Sequence, residues 1–221
     1  MIKALLRGAA VALLAAHCAG FAAAPSFNQV AGSGIINVGG TGFAEESSAI
    51  SMAIATWTLG LVVSAQPYQI LDDAPYLGRA LGERMANTSY RFGALVKAGV
   101  PLIFGSDWPV ARAVPLLGIH AAVTRNYQDP ATGEQRTFFP EERLTVDEAL
   151  LAYTSTAAFA EFKEGNKGQV APGHLADFVI LDRDITALAD EDEIAETAVL
   201  ATYIDGVRMY ASAAMPATAL V

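Results

Sequence analysis

Short apolar runs alternate with helical patterns through the middle of the chain. An apolar run at 61–63 is stopped by Pro67, and a second run at 100–104 ends at Gly105. Neither run alternates between apolar and polar positions, which is typical of strands buried on both faces of a parallel sheet. Helical patterns occupy the segments between and after them, and the predicted helices are 76–85, 89–98, 114–126, 145–153 and 156–163.

Several of these helices have end signals. Ser89 is placed to cap the second predicted helix, and Gly99 is placed to end it. Thr145 and Glu148 have the spacing of a capping box, in which each side chain bonds to the other residue's backbone amide.

The pattern changes after Gly165. Strands are predicted at 178–181, 197–204 and 207–210, with a hairpin turn at Asp205-Gly206. The acidic stretch 182–196 is expected to be a solvated loop or a frayed helix. Strands and helices followed by a strand cluster predict an α/β fold and then a small β module.

The N-terminus is typical of a secretory signal peptide. Lys3 and Arg7 precede an apolar run at 8–16, and small residues follow to Ala24, so cleavage is expected after Ala22 or Ala24. The alternative is a buried N-terminal helix. Export places the mature protein in the periplasm or outside the cell, with no membrane attachment after cleavage. Residues 25–43 are predicted to form a loop with one short strand at 35–38, and 45–58 a helix.

Composition removes some classes of function. The chain of 221 residues is 53% hydrophobic and 17% charged, which allows a sizeable core. Its net charge of −9 argues against a nucleic-acid partner, whose phosphates favour a basic face. The single cysteine, Cys18, lies in the predicted signal peptide, so the mature chain would have no disulfide and no thiolate site.

The candidate chemistry lies at Gly105-Ser106-Asp107-Trp108-Pro109, where a predicted buried strand ends. In a (β/α) barrel, active sites lie at this end of the strands. Asp107 would place a carboxylate there that is able to bind a divalent ion and to take a proton from water. The alternative is that Asp107 only shapes the turn before Pro109.

Several segments, in this order, resemble the metal-dependent amidohydrolase superfamily, in particular its YtcJ-like and imidazolonepropionase-like members. They are 60–67, 81–84, 95–109, 121–125, 144–154 and 167–182. The resemblance implies an α/β fold that contains the last strands and helices of a TIM-like barrel and then a small β-sandwich element. Barrel strands seven and eight would be 61–65 and 102–106. The implied organisation is a signal peptide at 1–24, an unassigned segment at 25–58, barrel at 59–165 and β-sandwich segment at 166–221.

The resemblance also implies a site. Asp107 would ligate a divalent metal, zinc by preference, and accept the proton of a metal-activated water. Gln66 would lie near the substrate and Trp108 at the pocket rim, although packing or turn structure explains these two residues equally well. The implied reaction is hydrolysis of a carbon–nitrogen bond, or of a related ester, in a small molecule.

The histidine count conflicts with a complete metal centre. The family's pattern is a His-x-His pair at strand one, a lysine or glutamate at strand four, and histidines at strands five and six. This sequence has three histidines, His17, His120 and His174, and none is at one of these positions. The first part of the chain does not resemble barrel strands one to six of the family, and a full barrel needs about 250 residues.

Three hypotheses follow. The chain is a secreted hydrolase, whose missing barrel strands a second chain would supply through the open barrel edge. Alternatively, it is a truncated remnant with no activity alone. A weaker third hypothesis is a small secreted binding module, which no aromatic or charged cluster supports.

Overall fold

A three-stranded parallel sheet lies at the centre of the computed structural model, which describes residues 12–13, 35–37, 62–82, 86 and 89–215. Its strands, in spatial order, are β2 (Ile35–Asn37), β3 (Val62–Ala65) and β4 (Leu102–Phe104). Val63 and Leu102 are buried, so the prediction of buried parallel strands is confirmed. The strand predicted at 35–38 is β2, and it pairs with β3 in register Ile35 to Val62.

The helix predicted at 76–85 begins earlier. Helix α1 spans Gln69–Leu81 and contains Pro75. Ile70, Ala74 and Leu77 lie on one face and are buried. Burial of this apolar face outweighs the one hydrogen bond that a proline removes from a helix.

The predicted capping role of Ser89 is wrong. Helix α2 spans Phe92–Lys97, and its N-cap residue Arg91 makes no side-chain capping bond. Tyr90 has φ 56°, a left-handed angle that a right-handed helix cannot include, so the helix begins after it. The predicted end at Gly99 is confirmed, since Gly99 has φ 74° and donates to the Val96 carbonyl at 2.9 Å.

Three further helices match the predicted segments to within three residues at each end. They are α3 (Pro115–Thr124), α4 (Val146–Tyr153) and α5 (Ser155–Ala160). The capping box is confirmed: the Glu148 amide donates to Thr145 Oγ1 at 3.2 Å, and the Thr145 amide donates to Glu148 Oε2 at 2.8 Å. Helix α4 packs on the central sheet through its last residue, Tyr153, whose ring lies 5.5 Å from that of Phe104.

A hairpin that the sequence did not predict follows α3. It consists of β5 (Asn126–Gln128) and β6 (Gln135–Thr137), and a 3₁₀ turn at Pro140–Glu142 leads from it to α4. Three-residue strands with mixed polarity give no clear alternation, which explains why the pattern missed them.

The C-terminal part forms an antiparallel sheet in the order β1, β7, β8, β9. These strands are Ala12–Leu13, Phe178–Leu181, Val199–Ile204 and Val207–Ala211. The three C-terminal strands and the Asp205-Gly206 turn agree with prediction. In this part of the fold the described residues form one sheet, so the β-sandwich element stays a prediction.

The acidic stretch 182–196 is less solvated than predicted. It contains a 3₁₀ helix at Glu191–Glu196, and its apolar residues Ile185 and Ile194 are 1% and 0% exposed. These two side chains belong to the main core, which explains why the segment is held against the domain.

The molecule is therefore mixed α/β. The signal peptide predicted at 1–24, apart from Ala12–Leu13, and the helix predicted at 45–58 lie outside the described residues. Within the described part of the chain, no helix has the length and apolar character needed to cross a membrane.

Candidate functional site

The carboxyl ends of β3 and β4 lie side by side. Ala65 is opposite Phe104, and the Gly105 amide donates to the Ala65 carbonyl at 3.1 Å. The residues that follow each strand therefore leave the sheet at the same edge. Gln66 follows β3, and Asp107 follows β4 after two residues.

Asp107 lies in a tight, exposed turn. It has φ 57°, and its carbonyl accepts from the Val110 amide at 2.8 Å. The Trp108 amide donates to Ser106 Oγ at 3.3 Å, and the peptide bond between Trp108 and Pro109 is cis. Asp107 thus shapes a turn, as the structural alternative predicted, and its carboxylate is also exposed to solvent at the strand end.

Trp108 and Gln66 lie in different environments. Trp108 is 72% exposed beside Asp107, whereas Gln66 is 5% exposed. The Gln66 carbonyl accepts from the Gln69 amide at 3.2 Å, so Gln66 also forms the entry to α1. The fold brings the backbones of the three predicted site residues to one edge, with two of the side chains exposed and one buried.

His120 has a structural partner. Its Nε2 lies 2.9 Å from Asp192 Oδ1, which joins α3 to the 3₁₀ helix at Glu191–Glu196. The Asp192 carboxylate also accepts from Gln135 and Asn126, each at 3.1 Å. Hydrogen bonding by His120, and then by Gln135 and Asn126, lowers the Asp192 pKa despite an opposing effect of desolvation. His120 therefore connects two elements of the fold, and the sequence likewise gives it no ligand position.

His174 lies far along the chain from β4. Its amide donates to the Ala171 carbonyl at 3.1 Å, which places it in the turn before β7. Both ring nitrogens are buried and make no hydrogen bond in the structure. His17 is outside the described residues.

The residues that are present do not fit a metal centre. No group of three or more His, Cys, Asp or Glu side chains among the described residues is arranged to hold a metal ion. The whole sequence adds only His17 and Cys18 to the histidines and cysteines considered. Protein zinc sites use three or four such ligands, so Asp107 alone does not make one.

A cavity of about 320 Å³ lies elsewhere, between α5 and the antiparallel sheet. Its lining includes Thr154, Lys167, Phe178 and Tyr203, and does not include Asp107, Gln66 or Trp108. The candidate site is therefore an exposed edge, whereas small-molecule sites are usually enclosed pockets.

A buried arginine at the end of α3 was missed by sequence analysis. Arg125 is 0% exposed and lies between the rings of Phe92 and Phe138, at 5.8 and 5.4 Å from their centres. Its Nη1 donates to the Tyr90 carbonyl at 3.0 Å, and burial lowers its pKa to about 10. The sequence signal was weak: a single basic residue ends an apolar helix.

Comparison with known proteins identifies the family. The model of the amidohydrolase family matches residues 7–210.

The chain belongs to the amidohydrolase family.

The resemblance stated above is therefore confirmed, and it is longer than predicted. The family match begins at residue 7, so it includes residues 7–58, which the sequence alone assigns to a signal peptide or leaves unassigned. The structure is consistent with this longer match, because β2 at Ile35–Asn37 pairs in parallel with β3 and extends the same sheet.

Two curated relatives and one solved structure show the extent of the similarity. The chain is 40% identical over 153 residues to Protein LONG AFTER FAR-RED 3 of Arabidopsis thaliana, covering 69% of this chain and 25% of the relative. It is 31% identical over 150 residues to the putative amidohydrolase YtcJ of Bacillus subtilis, covering 68% of this chain and 28% of the relative. The structure of an uncharacterized metal-dependent hydrolase from Pyrococcus furiosus matches with a TM-score of 0.55 at 28% identity. The match covers 70% of this chain and 29% of that protein. The chain thus spans roughly a quarter of the length of these relatives.

Proposed function

We propose that this amidohydrolase contributes Asp107 to the hydrolysis of a non-peptide carbon–nitrogen bond, or a related ester, in a small molecule. One observation carries the proposal. In a member of this family, Asp107 follows β4 at the edge where neighbouring parallel strands end, and its side chain is exposed there.

The proposal includes the fold around the site. We assign β3 and β4 as the seventh and eighth strands of a TIM-like barrel, with β2 beside β3, and the antiparallel sheet as part of a β-sandwich. The parallel order β2, β3, β4 supports this assignment, as does the similarity to a metal-dependent hydrolase at 28% identity.

The chemistry assigned to this chain is a proton transfer. Water attacks the substrate's carbonyl carbon while the Asp107 carboxylate accepts its proton, and the proton passes to the leaving nitrogen as the carbon–nitrogen bond breaks. Trp108 would cover one side of the substrate, and Gln66 would border it from the end of β3. The family implies a divalent metal, zinc by preference, but the residues of this chain do not form its site, so no step is assigned to it.

A second candidate is a catalytically inactive remnant of the family. The shortage of metal ligands favours it, because the described residues include no group of metal-binding side chains and the sequence has only three histidines.

A chimera separates the two candidates. Residues 59–210 of this chain would replace the matching segment of Bacillus subtilis YtcJ, and bound zinc, manganese and iron would be measured together with hydrolysis of amides and cyclic amides. We expect hydrolysis, and a loss of about 10²–10⁴-fold in kcat for Asp107→Asn, because the general base is removed.

The matched control is Asp147→Asn, which removes another exposed carboxylate from the same segment and should leave kcat unchanged. A folded chimera that shows no turnover, while the parent enzyme is active, would establish the remnant. Equal activity with and without the Asp107 carboxylate would also refute the proposed role.

A further inference from the structure

The cavity between α5 and the antiparallel sheet has an aliphatic wall and an aromatic wall. Ala157 and Ala158 of α5 line one side, and Phe178 of β7 and Tyr203 of β8 line the other. Its volume of about 320 Å³ falls within the range of about 300–1,000 Å³ that is typical of small-molecule sites. The space is therefore large enough for a compact organic ligand.

The two aromatic residues of the cavity wall form a stacked pair. The ring centres of Phe178 and Tyr203 lie 4.6 Å apart at an interplanar angle of 12°, and both side chains are partly exposed. The face of an aromatic ring carries negative partial charge. A partly exposed pair of rings in a cavity wall therefore attracts cations rather than anions.

The charged side chains that line the same cavity are predominantly acidic. Glu161 and Asp177 supply two carboxylates, and Lys167 supplies one ammonium group, which is ion-paired with Glu161. Because this pair is neutral as a whole, the Asp177 carboxylate gives the lining a formal charge of −1. The whole chain carries a net charge of −9, so the local and the overall charge both favour a cationic ligand.

The loop that carries Lys167 is fixed against α5. Ser155 Oγ donates to the Gly168 carbonyl at 2.9 Å. Gly168 has φ 84°, and a Cβ at this position would lie 2.7 Å from the Cβ of Ala158, so glycine permits the close approach of the loop to the helix. This side of the cavity is therefore formed before a ligand binds, which lowers the entropy lost on binding.

Asp177 is held in place on the opposite side. Its Oδ1 accepts from the Asp205 amide at 2.7 Å, and the Gly206 amide donates to the Ala176 carbonyl at 3.1 Å. These bonds tie the residues before β7 to the turn between β8 and β9. They fix a negative charge directly before Phe178, at the aromatic wall of the cavity.

We propose that this cavity binds a small organic cation, an amine or a quaternary ammonium compound with an apolar body. The apolar body packs between α5 and the Phe178–Tyr203 pair, and the cationic group is attracted by the ring faces and by the Asp177 carboxylate. Asp107 does not line the cavity, so this inference is independent of the proposed function.

Three probes of similar size and different charge test the inference. The full chain of residues 1–221 would be titrated at pH 7 with phenethylammonium, phenethyl alcohol and phenylacetate, and the dissociation constants would be measured by NMR. We expect phenethylammonium to bind at least about fivefold more tightly than the alcohol, because cation–π contacts and attraction by a carboxylate act only on the cation. Phenylacetate should bind most weakly.

Variants locate the binding site. Asp177→Asn keeps the oxygen that accepts from the Asp205 amide and removes the charge, so it should weaken phenethylammonium binding about threefold and leave alcohol binding unchanged. Tyr203→Leu keeps an apolar side chain without the aromatic face, and should also weaken binding of the cation. Asp147→Asn, which removes an exposed carboxylate outside the cavity, is the matched control. Urea denaturation would verify that each variant is folded.

Three results would overturn the inference. The first is an absence of saturable phenethylammonium binding to the native chain. The second is binding of the alcohol or of phenylacetate that is as tight as binding of the cation. The third is an affinity for phenethylammonium that stays at the native value in the folded Asp177→Asn variant.

Discussion

At the residue scale, backbone angles and close contacts decide what neighbouring residues can do. Asp107 at φ 57° turns the chain directly after β4 and leaves its carboxylate exposed. Gly118 in α3 shows the same principle in the core: a Cβ at this position would overlap the hydroxyl oxygen of Tyr153 and lie 3.0 Å from its ring carbon Cζ. Glycine is required there so that α3 and α4 can approach closely.

Gly118→Ala is predicted to destabilise the fold. The added methyl group must displace the partly buried Tyr153 ring, which also contacts Phe104, and overpacking of this kind costs about 1–3 kcal/mol. The free energy of unfolding would be measured by urea denaturation.

Two controls accompany this prediction. Gly165→Ala should have little effect, because nothing lies within 4 Å of the added carbon. Combining Gly118→Ala with Tyr153→Phe should recover part of the loss, since the overlapping oxygen is gone. If the double variant were no more stable than Gly118→Ala alone, the contact would not be the cause.

At the element scale, tertiary contacts determine where helices begin and which loops are ordered. Helix α1 continues through Pro75 because Ile70, Ala74 and Leu77 are buried on one face. The acidic stretch before β8 is fixed by buried Ile194 and by Asp192, whose carboxylate bonds to α3 and to the β5–β6 hairpin. In both cases, contacts with other elements outweigh the local sequence pattern.

Asp192→Asn is predicted to loosen the tie between the 3₁₀ helix and α3. The folded-state pKa of Asp192 is lowered, chiefly by its hydrogen bond to His120. The ionised carboxylate therefore contributes fully to the free energy of unfolding at pH values above its unfolded pKa, near 3.8. This contribution is lost as the pH falls through the lowered folded value. The side chain is 43% exposed, so we expect a loss of under about 1 kcal/mol at pH 7.

Urea denaturation at pH 7 and pH 2 would check this. The difference in unfolding free energy between native chain and variant should shrink at the lower pH. Glu164→Gln, which removes an exposed carboxylate from the linker, serves as control. A difference that stayed constant with pH would show that the Asp192 charge does not contribute.

At the scale of the whole molecule, the N-terminus carries two conflicting signals. Its basic start, apolar run and small residues predict a cleaved signal peptide. In the structure, however, Ala12 and Leu13 pair with Leu181 and Ile180 of β7, and the family match begins at residue 7. Cleavage after Ala22 or Ala24 would remove this edge strand.

We propose that the chain is exported and cleaved. Expression of the full chain in a bacterial host, followed by cell fractionation and intact-mass measurement, should give a periplasmic or secreted form that lacks residues 1–22 or 1–24. Replacing Lys3 and Arg7 with glutamate should retain the chain in the cytoplasm at full mass. An intact N-terminus on the native chain in the cytoplasm would favour the buried alternative, in which β1 belongs to the mature fold.

The sequence by itself determined the family, through the resemblance of several segments in order, together with most of the strands and helices and Asp107 as the catalytic candidate. The strands and helices that it predicted depend on local patterns: apolar runs, the Thr145 and Glu148 capping box, and the Asp205-Gly206 turn. Only the tertiary structure decided the helical course through Pro75, the burial of Arg125 between two rings, the Asp192 connections and the exposure of Trp108. The physical reason is that burial and long-range hydrogen bonds join residues distant in sequence, and no local pattern records which of them meet.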